Sequence, residues 1–350
     1  MRLMFVYYVM DDAGSAQDIS NYARAAGAQG HEIVVYGPPR PGSPFEFSRD
    51  LDGVDALVFI FEWTTELRDG DQLDLARLVG RVPRERRVVI DCDGAYNERL
   101  CVDGDYNHRD VAASRAWRDV CESIADKICQ PTLSPAQEHV RTFFFHAYDP
   151  AWEVDLDFGA KEFGMVYVGH SKFRWGPMER VLRAAEPIRD RVGRMVLVGH
   201  GWDALPAWAA PMGIEDFYYT DRDYLDRLGV EIAEPVPFRE VIPWMSRAVF
   251  NPVVYRPLFE HLGFVTCRTF ETPAAATIPL FALDREYVRA VYGPAAEELV
   301  LSDDQPEDQL LDIVSDPSRY GELVRDIRRR LAAEHSYASR IDQLVEIVES

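Results

Sequence analysis

Short runs of apolar residues alternate with helical segments along this chain, and the alternation occurs in two separate series. A strand that is apolar throughout, rather than at every second residue, is buried on both faces, as in a parallel sheet covered by helices. The predicted strands are residues 3–9, 32–36, 56–61 and 87–91 in the first series and 165–168, 194–198, 230–232, 248–250 and 279–282 in the second. The pattern therefore predicts an α/β protein with two Rossmann-like domains.

The length of the chain, 350 residues, suits two domains of similar size. The predicted parts are an N-terminal domain over 1–155, a second domain over 160–330 and a terminal segment over 331–350. The predicted linker is the acidic stretch 148–159. Residues 319–347 have the pattern of an amphipathic helix pair that breaks near residue 335. Ligands of such sheets bind at the carboxyl ends of the strands, so we expect the site in a cleft between two facing domains.

Composition argues against several classes of partner. A formal net charge of −21 repels polyphosphate chains, so general binding to nucleic acids or to anionic membranes is not expected. No apolar stretch approaches the ~20 residues that cross a bilayer, and no integral membrane segment is predicted. The five cysteines lack zinc-like spacing, which favours reduced thiols in a cytoplasmic protein.

The clearest candidate site follows the first strand of the second series. Gly169, His170 and Ser171 come directly after this strand, and Lys172 and Arg174 precede the next predicted helix. A glycine lets a ligand approach the backbone, a helix N-terminus offers free N–H groups, and the two cations add charge for a diphosphate. The same residues are also compatible with an ordinary turn that carries two surface cations.

Two further segments occupy comparable places. Gly199, His200 and Gly201 follow the next strand as a tight, exposed turn, in which His200 is either a phosphate donor or a solvated loop residue. Residues 268–276 predict a helix that packs closely through small side chains. Glu271 near its start is placed to accept both hydroxyls of a ribose, or it only complements the helix dipole.

These segments, in this order, resemble the donor domain of GT-B glycosyltransferases, and they look most like family 4 and the spore-maturation (CgeB-like) group. The resemblance is firm over about 165–347. It rests on the loop at Gly169, the stretches 235–243 and 250–252, the segment 268–271 and the ending 334–340. One position departs from the family pattern: where family 4 has a glutamate eight residues before Glu271, this chain has Gly263.

The resemblance implies a role for each segment. The sugar nucleotide's diphosphate would lie at the two glycine loops, 169–171 and 199–201, with Lys172 and Arg174 neutralising the leaving group. The base would be lined by Val236, Pro237 and Phe238. The ribose would be held by Arg268, Thr269, Phe270 and Glu271. The resemblance also implies retention at the anomeric carbon and a terminal helix that crosses back to the first domain. No metal ion is predicted, because the fixed cations would neutralise the leaving group, and no cofactor is predicted besides the sugar nucleotide.

The first domain supplies the predicted acceptor side. The candidate residues are Asp12 and Gly14 after the first strand, Glu62 and Trp63 after the third, and Asp93 after the fourth. Asp93 joins Lys172 and Arg174 in the predicted catalytic set. Asp91 and Asp93 form a D-x-D pattern, which suggests the metal site of another glycosyltransferase fold. Here the pattern ends a strand, so an acceptor contact or a structural turn is the preferred interpretation.

The predicted function is transfer of a sugar from a UDP, GDP or dTDP donor to a hydroxyl of a small-molecule or glycan acceptor. Two alternatives stay open. A nucleotide-sugar epimerase on the same fold would use His170, His200 and Asp93, and a non-catalytic scaffold that binds nucleotide or sugar is favoured by Gly263. The base, the sugar, the acceptor and the oligomeric state are not set by the sequence.

Overall fold

The computed structural model describes residues 1–7, 14–62 and 75–350. These residues divide into two compact units. The first unit comprises Met1–Ala147, His261–Cys267 and His335–Ser350, and the second comprises Tyr148–Glu260 and Arg268–Glu334. Each unit is therefore assembled from more than one stretch of chain.

The first unit is built on a parallel sheet whose strand order, among the described residues, is β3-β2-β1-β4-β5-β8-β9. A small antiparallel hairpin, β6-β7, lies outside it. The strands are β1 Arg2–Val6, β2 Glu32–Tyr36, β3 Phe47–Ser48, β4 Ala56–Phe61, β5 Arg87–Asp91, β6 Cys101–Val102, β7 Asp105–Tyr106, β8 Lys127–Gln130 and β9 Arg141–Thr142.

The second unit is built on another parallel sheet, in the order β12-β11-β10-β13-β14. Its central strand is buried along its whole length. The strands are β10 Phe163–Val168, β11 Met195–Val198, β12 Glu231–Ala233, β13 Ala248–Val253 and β14 Ile278–Phe281.

Helices connect the strands in both units, as parallel pairing requires. In chain order they are α1 Gly14–Ala28, α2 Leu75–Arg81, α3 Val111–Ile124, α4 Trp175–Ala185, α5 Arg189–Val192, α6 Ala209–Met212, α7 Arg222–Leu228, α8 Val241–Met245, α9 Pro257–His261, α10 Cys267–Ala274, α11 Arg285–Tyr292, α12 Pro306–Ser315, α13 Gly321–Glu334 and α14 Tyr337–Glu349.

Local sequence explains where several helices begin. The Asp110 carboxylate accepts the Ala113 N–H at 2.8 Å and caps α3. Ser336 caps α14 through its hydroxyl, which accepts the Ser339 N–H at 3.3 Å. This cap separates α13 from α14, so the predicted break in the terminal helix pair is confirmed.

The predicted α/β class is confirmed, with a parallel sheet in each unit. The strands predicted at 32–36, 56–61 and 87–91 have the predicted bounds. The first helix, α1, begins at Gly14. The buried strand β8 was not predicted, because its lysine and glutamine interrupt the apolar run. No helix of the described ranges is long and apolar enough to cross a lipid bilayer.

Candidate functional site

Two glycine loops pack against each other at the carboxyl ends of β10 and β11. The N–H of Gly169 donates to the Val198 carbonyl at 2.8 Å, and the N–H of Ser171 donates to the His200 carbonyl at 2.9 Å. A Cβ on Gly199 would lie 2.7 Å from the carbonyl carbon of Gly169, closer than such atoms can pack. Glycine is therefore required at 199 for the two loops to meet.

The second glycine loop also needs Gly201. Its φ of +88° lies in the left-handed region, and a Cβ there would lie 2.6 Å from the Tyr218 ring. The neighbouring Trp202 is fully buried, and its indole N–H donates to the Gly169 carbonyl at 2.7 Å. Trp202 therefore fixes one loop to the other as a packing residue, while His200 is exposed, with its ring 4.8 Å from that of Trp208.

Four cations surround His170 in the first glycine loop. Arg174 lies with Nη1 3.0 Å from His170 Nδ1 and donates to the Lys172 carbonyl at 2.9 Å. Burial lowers the pKa of His170 well below its usual value, and the positive charges of Arg174 and Lys172 lower it further. Arg256 and Arg268 act in the same direction. His170 is thus a neutral imidazole in a strongly positive surrounding.

A buried ion pair lies on α10. Arg268 Nη1 lies 2.6 Å from Glu271 Oε2, and the side chains are 14% and 3% exposed. Arg268 also approaches the Met245 sulfur of α8 at 4.0 Å. Because the Arg268 charge reaches His170, the structure brings the predicted ribose segment and the predicted diphosphate loop into one electrostatic cluster.

The side chains next to Arg268 face the interior of the second unit. Thr269 is fully buried and its hydroxyl bonds to that of Tyr255, which lies 3.1 Å from the Tyr287 hydroxyl. Phe270 is fully buried as well. The predicted nucleotide contacts of Thr269 and Phe270 stay predictions, and the structure gives both side chains a packing role.

The predicted base segment follows β12. Val236 and Phe238 pack against the apolar cluster that includes α8, and Pro237 is exposed. The N–H of Gly199 donates to the Ala233 carbonyl at 3.1 Å, which places the end of β12 beside the second glycine loop. The segment therefore starts at the same edge of the sheet as the two glycine loops.

Arg256 belongs to this site but was not among the predicted residues. It follows the carboxyl end of β13, as Lys172 and Arg174 follow that of β10. A basic residue just after a buried strand was the signal in the sequence, and the loop at 254–256 carries nothing else that marks it.

The corresponding edge of the first unit carries acids instead. Glu62, after β4, accepts a hydrogen bond from the Tyr7 hydroxyl at 2.9 Å. Burial raises the pKa of the Cys92 thiol well above its usual value, and so does the negative charge of Glu62. Asp93, Asp91 and Asp18 add to the same effect. These acids therefore gather near Cys92 at the ends of β4 and β5.

Asp91 of the D-x-D pattern is a structural residue. Its buried carboxylate accepts hydrogen bonds from the N–H groups of Ala95 at 2.8 Å and Tyr96 at 2.9 Å, and from the Gln130 amide at 2.8 Å. Burial raises the pKa of Asp91. The structural-turn interpretation thus describes Asp91, and within the described ranges no group of three His, Cys, Asp or Glu residues could hold a metal ion.

Two of the other predicted acceptor residues lie within the described ranges, and two lie outside them. Asp93 is half-buried beside Asp91, and Gly14 is the first residue of α1. Asp12 and Trp63 lie outside the described residues. The roles of these four residues and of Glu62 stay predictions.

Position 263, where family 4 has a glutamate and this chain has glycine, requires glycine for a structural reason. It lies in the stretch of residues 261–267 that belongs to the first unit, and its φ of +61° is left-handed. The preceding Leu262 carbonyl accepts a hydrogen bond from the Thr132 hydroxyl at 2.6 Å, which holds this turn against the end of β8. A glutamate at 263 would therefore be strained.

Comparison with known proteins agrees with this architecture. Residues 178–346 match the model of a family described as glycosyl transferase-like. No curated protein matches the sequence.

Among solved structures, an alpha-glucosyltransferase in complex with UDP and a 13-mer DNA containing a central A:G mismatch is 12% identical, with a TM-score of 0.66 over 100% of this chain and 99% of that chain. T4 phage BGT in complex with its UDP-glucose substrate is 11% identical, with a TM-score of 0.57 over 100% of both chains. A DNA-modifying beta-glucosyltransferase is 12% identical, with a TM-score of 0.57 over 100% of both chains.

At such low identity these similarities establish the fold, and the prediction of a GT-B fold is confirmed. The match of residues 178–346 to the glycosyl transferase-like family model bears out the prediction of an enzyme of the glycosyltransferase class. The finer assignment to family 4 or to the CgeB-like group stays a prediction.

Proposed function

We propose that this protein transfers a sugar from a nucleoside-diphosphate donor, a UDP-sugar, to a hydroxyl of a small-molecule or glycan acceptor. The observation that carries the proposal is the cluster of Lys172, Arg174, Arg256 and Arg268 around a neutral His170 at the end of β10. A diphosphate is the ligand that such a cluster suits, and UDP or UDP-glucose is the partner named for the structural neighbours.

The cations supply the chemistry that the leaving group needs. In sugar transfer the bond from the anomeric carbon to the diphosphate breaks, and negative charge grows on the departing phosphate oxygens. Fixed guanidinium and ammonium groups stabilise that charge without reorganising. We therefore propose transfer with retention and without a divalent metal ion, in line with the resemblance to family 4.

The buried pair on α10 fits a ribose. Glu271 is fixed by Arg268, so its carboxylate is held in one orientation at the edge of the cation cluster. A carboxylate can accept both ribose hydroxyls at once, one on each oxygen. The segment after β12 that includes the exposed Pro237 is the proposed place for the base.

The acceptor differs, in this proposal, from the DNA named for two of the neighbours. The net charge of −21 and the acids at the edge of the first unit repel a polyphosphate chain. A neutral or cationic acceptor suits this surface better. The five free cysteines are consistent with a reducing compartment such as the cytoplasm.

The test is binding and turnover with UDP-sugars. UDP should raise the melting temperature of the wild-type protein, because a ligand that binds only the folded state stabilises it. Arg174→Gln should lower the rate of sugar transfer or of donor hydrolysis by about 100-fold, the effect of removing one donor that stabilises a developing anion. Glu271→Ala should weaken UDP binding. An unchanged melting temperature with UDP and the other nucleoside diphosphates would contradict the proposal.

A second function, nucleotide binding without transfer, is favoured by Gly263. The turn that needs this glycine leaves no acid at the place where family 4 has its first glutamate. The two functions separate in one measurement. Hydrolysis of a UDP-sugar in the absence of acceptor supports transfer, whereas UDP binding with no hydrolysis and no transfer supports the binding protein.

A further inference from the structure

Arg256 is held in the cation cluster by aromatic rings. Its guanidinium carbon lies 5.1 Å from the centre of the Phe173 ring and 4.8 Å from that of the Phe259 ring. Arginine stacked on aromatic faces in this way is already ordered before a ligand arrives. Less conformational entropy is then lost when an anion binds to it.

Phe173 reaches Arg256 from an unusual backbone conformation. Its φ of +56° is left-handed, which costs free energy for a bulky residue unless the surroundings compensate. Here the Phe173 N–H donates to the Phe217 carbonyl at 2.6 Å, and the two rings lie 4.3 Å apart. The segment that carries Phe217 therefore fixes both the backbone and the ring of Phe173.

We propose that Arg256 is a further binding residue for the diphosphate of the sugar nucleotide and that Phe173 is its positioning residue. This inference rests on the proposed function. Arg256 comes from the loop after β13, whereas Lys172 and Arg174 come from the loop after β10, so the anion is contacted from two neighbouring strands. Cations gathered at one place repel one another, and a bound diphosphate relieves that repulsion.

The Phe217 ring contacts a second cation of the cluster, Lys172. Lys172 Nζ lies 5.8 Å from the centre of this ring. The rings of Phe173 and Phe217, which are tilted by 33° to each other, thus each contact one cation, Arg256 and Lys172 respectively. A change in the Phe173 ring is expected to displace Arg256 first, because Arg256 contacts that ring directly.

The test compares UDP binding by calorimetry in four proteins: wild type, Arg256→Gln, Arg256→Lys and the control Arg329→Gln. Arg329 is a 72%-exposed arginine on α13 and its loss removes the same charge elsewhere on the second unit. Arg256→Gln should raise the dissociation constant of UDP about tenfold and make it less sensitive to NaCl, since one charge-assisted contact is lost. The dissociation constant of Arg256→Lys should lie between those of wild type and Arg256→Gln, and that of Arg329→Gln should match wild type.

Phe173→Leu tests the positioning role, with Phe173→Tyr as the conservative variant. Leucine removes the ring and should weaken UDP binding several-fold, whereas tyrosine keeps the ring and should restore it. NMR titration of His170 in the ligand-free proteins gives an independent readout. Its pKa should rise towards the usual value in Arg256→Gln, and also in Phe173→Leu if the ring holds Arg256 in place.

The outcomes distinguish a failure of the proposed function from a failure of the roles proposed for Arg256 and Phe173. If wild-type protein does not bind UDP, the proposed function is wrong. If wild type binds UDP and Arg256→Gln binds it equally well, only the role of Arg256 is wrong. If folded Phe173→Leu leaves both the UDP affinity and the pKa of His170 unchanged, Phe173 does not position Arg256.

Discussion

The two units carry the same kind of parallel sheet and opposite charges at its carboxyl edge. In the second unit, cations from three elements surround His170 and lower its pKa. In the first unit, acids surround Cys92 and raise its pKa. Burial is the largest cause of both shifts, and in each unit the nearby charges act in the same direction as burial, because positive surroundings favour the neutral imidazole and negative surroundings disfavour the thiolate.

This contrast shows that the fold fixes where a ligand binds and the loop residues fix what binds there. Both sheets end their strands at an edge where loops can present side chains. Within the ranges that the structure describes, glycine loops and fixed cations occur together at that edge in the second unit only. The acids of the first unit suit hydrogen bonds to hydroxyl groups, which is what an acceptor would offer.

The largest expected effect distinguishes the two aspartates of the D-x-D pattern, Asp91 and Asp93. Asp91→Ala removes the acceptor of two backbone N–H groups and one amide, all buried, and should lower the free energy of unfolding by about 3 kcal/mol or more. Asp93→Ala, at a half-buried position, should cost less than about 1 kcal/mol and reduce turnover instead. Denaturant unfolding and an assay of sugar transfer measure the two effects.

Equal losses of stability in both variants would remove the distinction between a structural Asp91 and a functional Asp93. Unchanged turnover in Asp93→Ala would exclude it from the catalytic set. Either result would leave the cation cluster of the second unit untouched, since the two edges are tested separately.

The next effect concerns the glycine loops. Gly199→Ala places a Cβ against the Gly169 carbonyl and should cost roughly 2–3 kcal/mol of stability and weaken UDP binding, because the loops can no longer meet. Gly27→Ala is the matched control in the first unit. Gly27 lies in α1 with open space around its Cβ position, so alanine should stabilise the protein by about 0.5–1 kcal/mol. Thermal unfolding with and without UDP measures both.

Destabilisation by Gly199→Ala with unchanged UDP affinity would show that the contact between the loops serves the fold alone. A stable Gly199→Ala variant would contradict the close approach itself.

The elements of the fold that could be predicted from the sequence were those marked by a local pattern of apolar residues. Buried strands with uninterrupted apolar runs, such as β2, β4 and β5, were predicted with their observed bounds. The strand β8 was missed because the aliphatic stem and amine of Lys127 are buried by long-range contacts, including a hydrogen bond to the Val348 carbonyl at 2.8 Å. A window of sequence does not contain the partner 221 residues away.

The same limit applies to the site. Gly169, Lys172 and Arg174 were predicted because glycine and cations follow a strand within a few residues. Arg256 was missed because its place in the cluster depends on the order of strands, which puts β13 beside β10. The return of residues 261–267 to the first unit was likewise invisible, since it depends on long-range contacts such as the one between Thr132 and Leu262.

The smallest expected effect is the response of two histidines, one in each unit, to pH and to UDP. It tests which charges lie near each imidazole. Burial lowers the pKa of both His170 and His108, but the charges near His108, Asp91 and Asp110, act to raise it. A group with a lowered folded-state pKa binds its proton more readily when unfolded, so each histidine should make the protein less stable as the pH falls below about 6.5, the unfolded value.

UDP should raise the pKa of His170 by neutralising its cations and leave the pKa of His108 unchanged. NMR titration of both imidazoles with and without UDP measures this. The loss of stability below pH 6.5 should then be smaller with UDP bound, and His170→Gln should remove that difference while His108→Gln keeps it. An equal response of the two histidines to UDP would mean that the ligand acts on the whole protein rather than at the cation cluster.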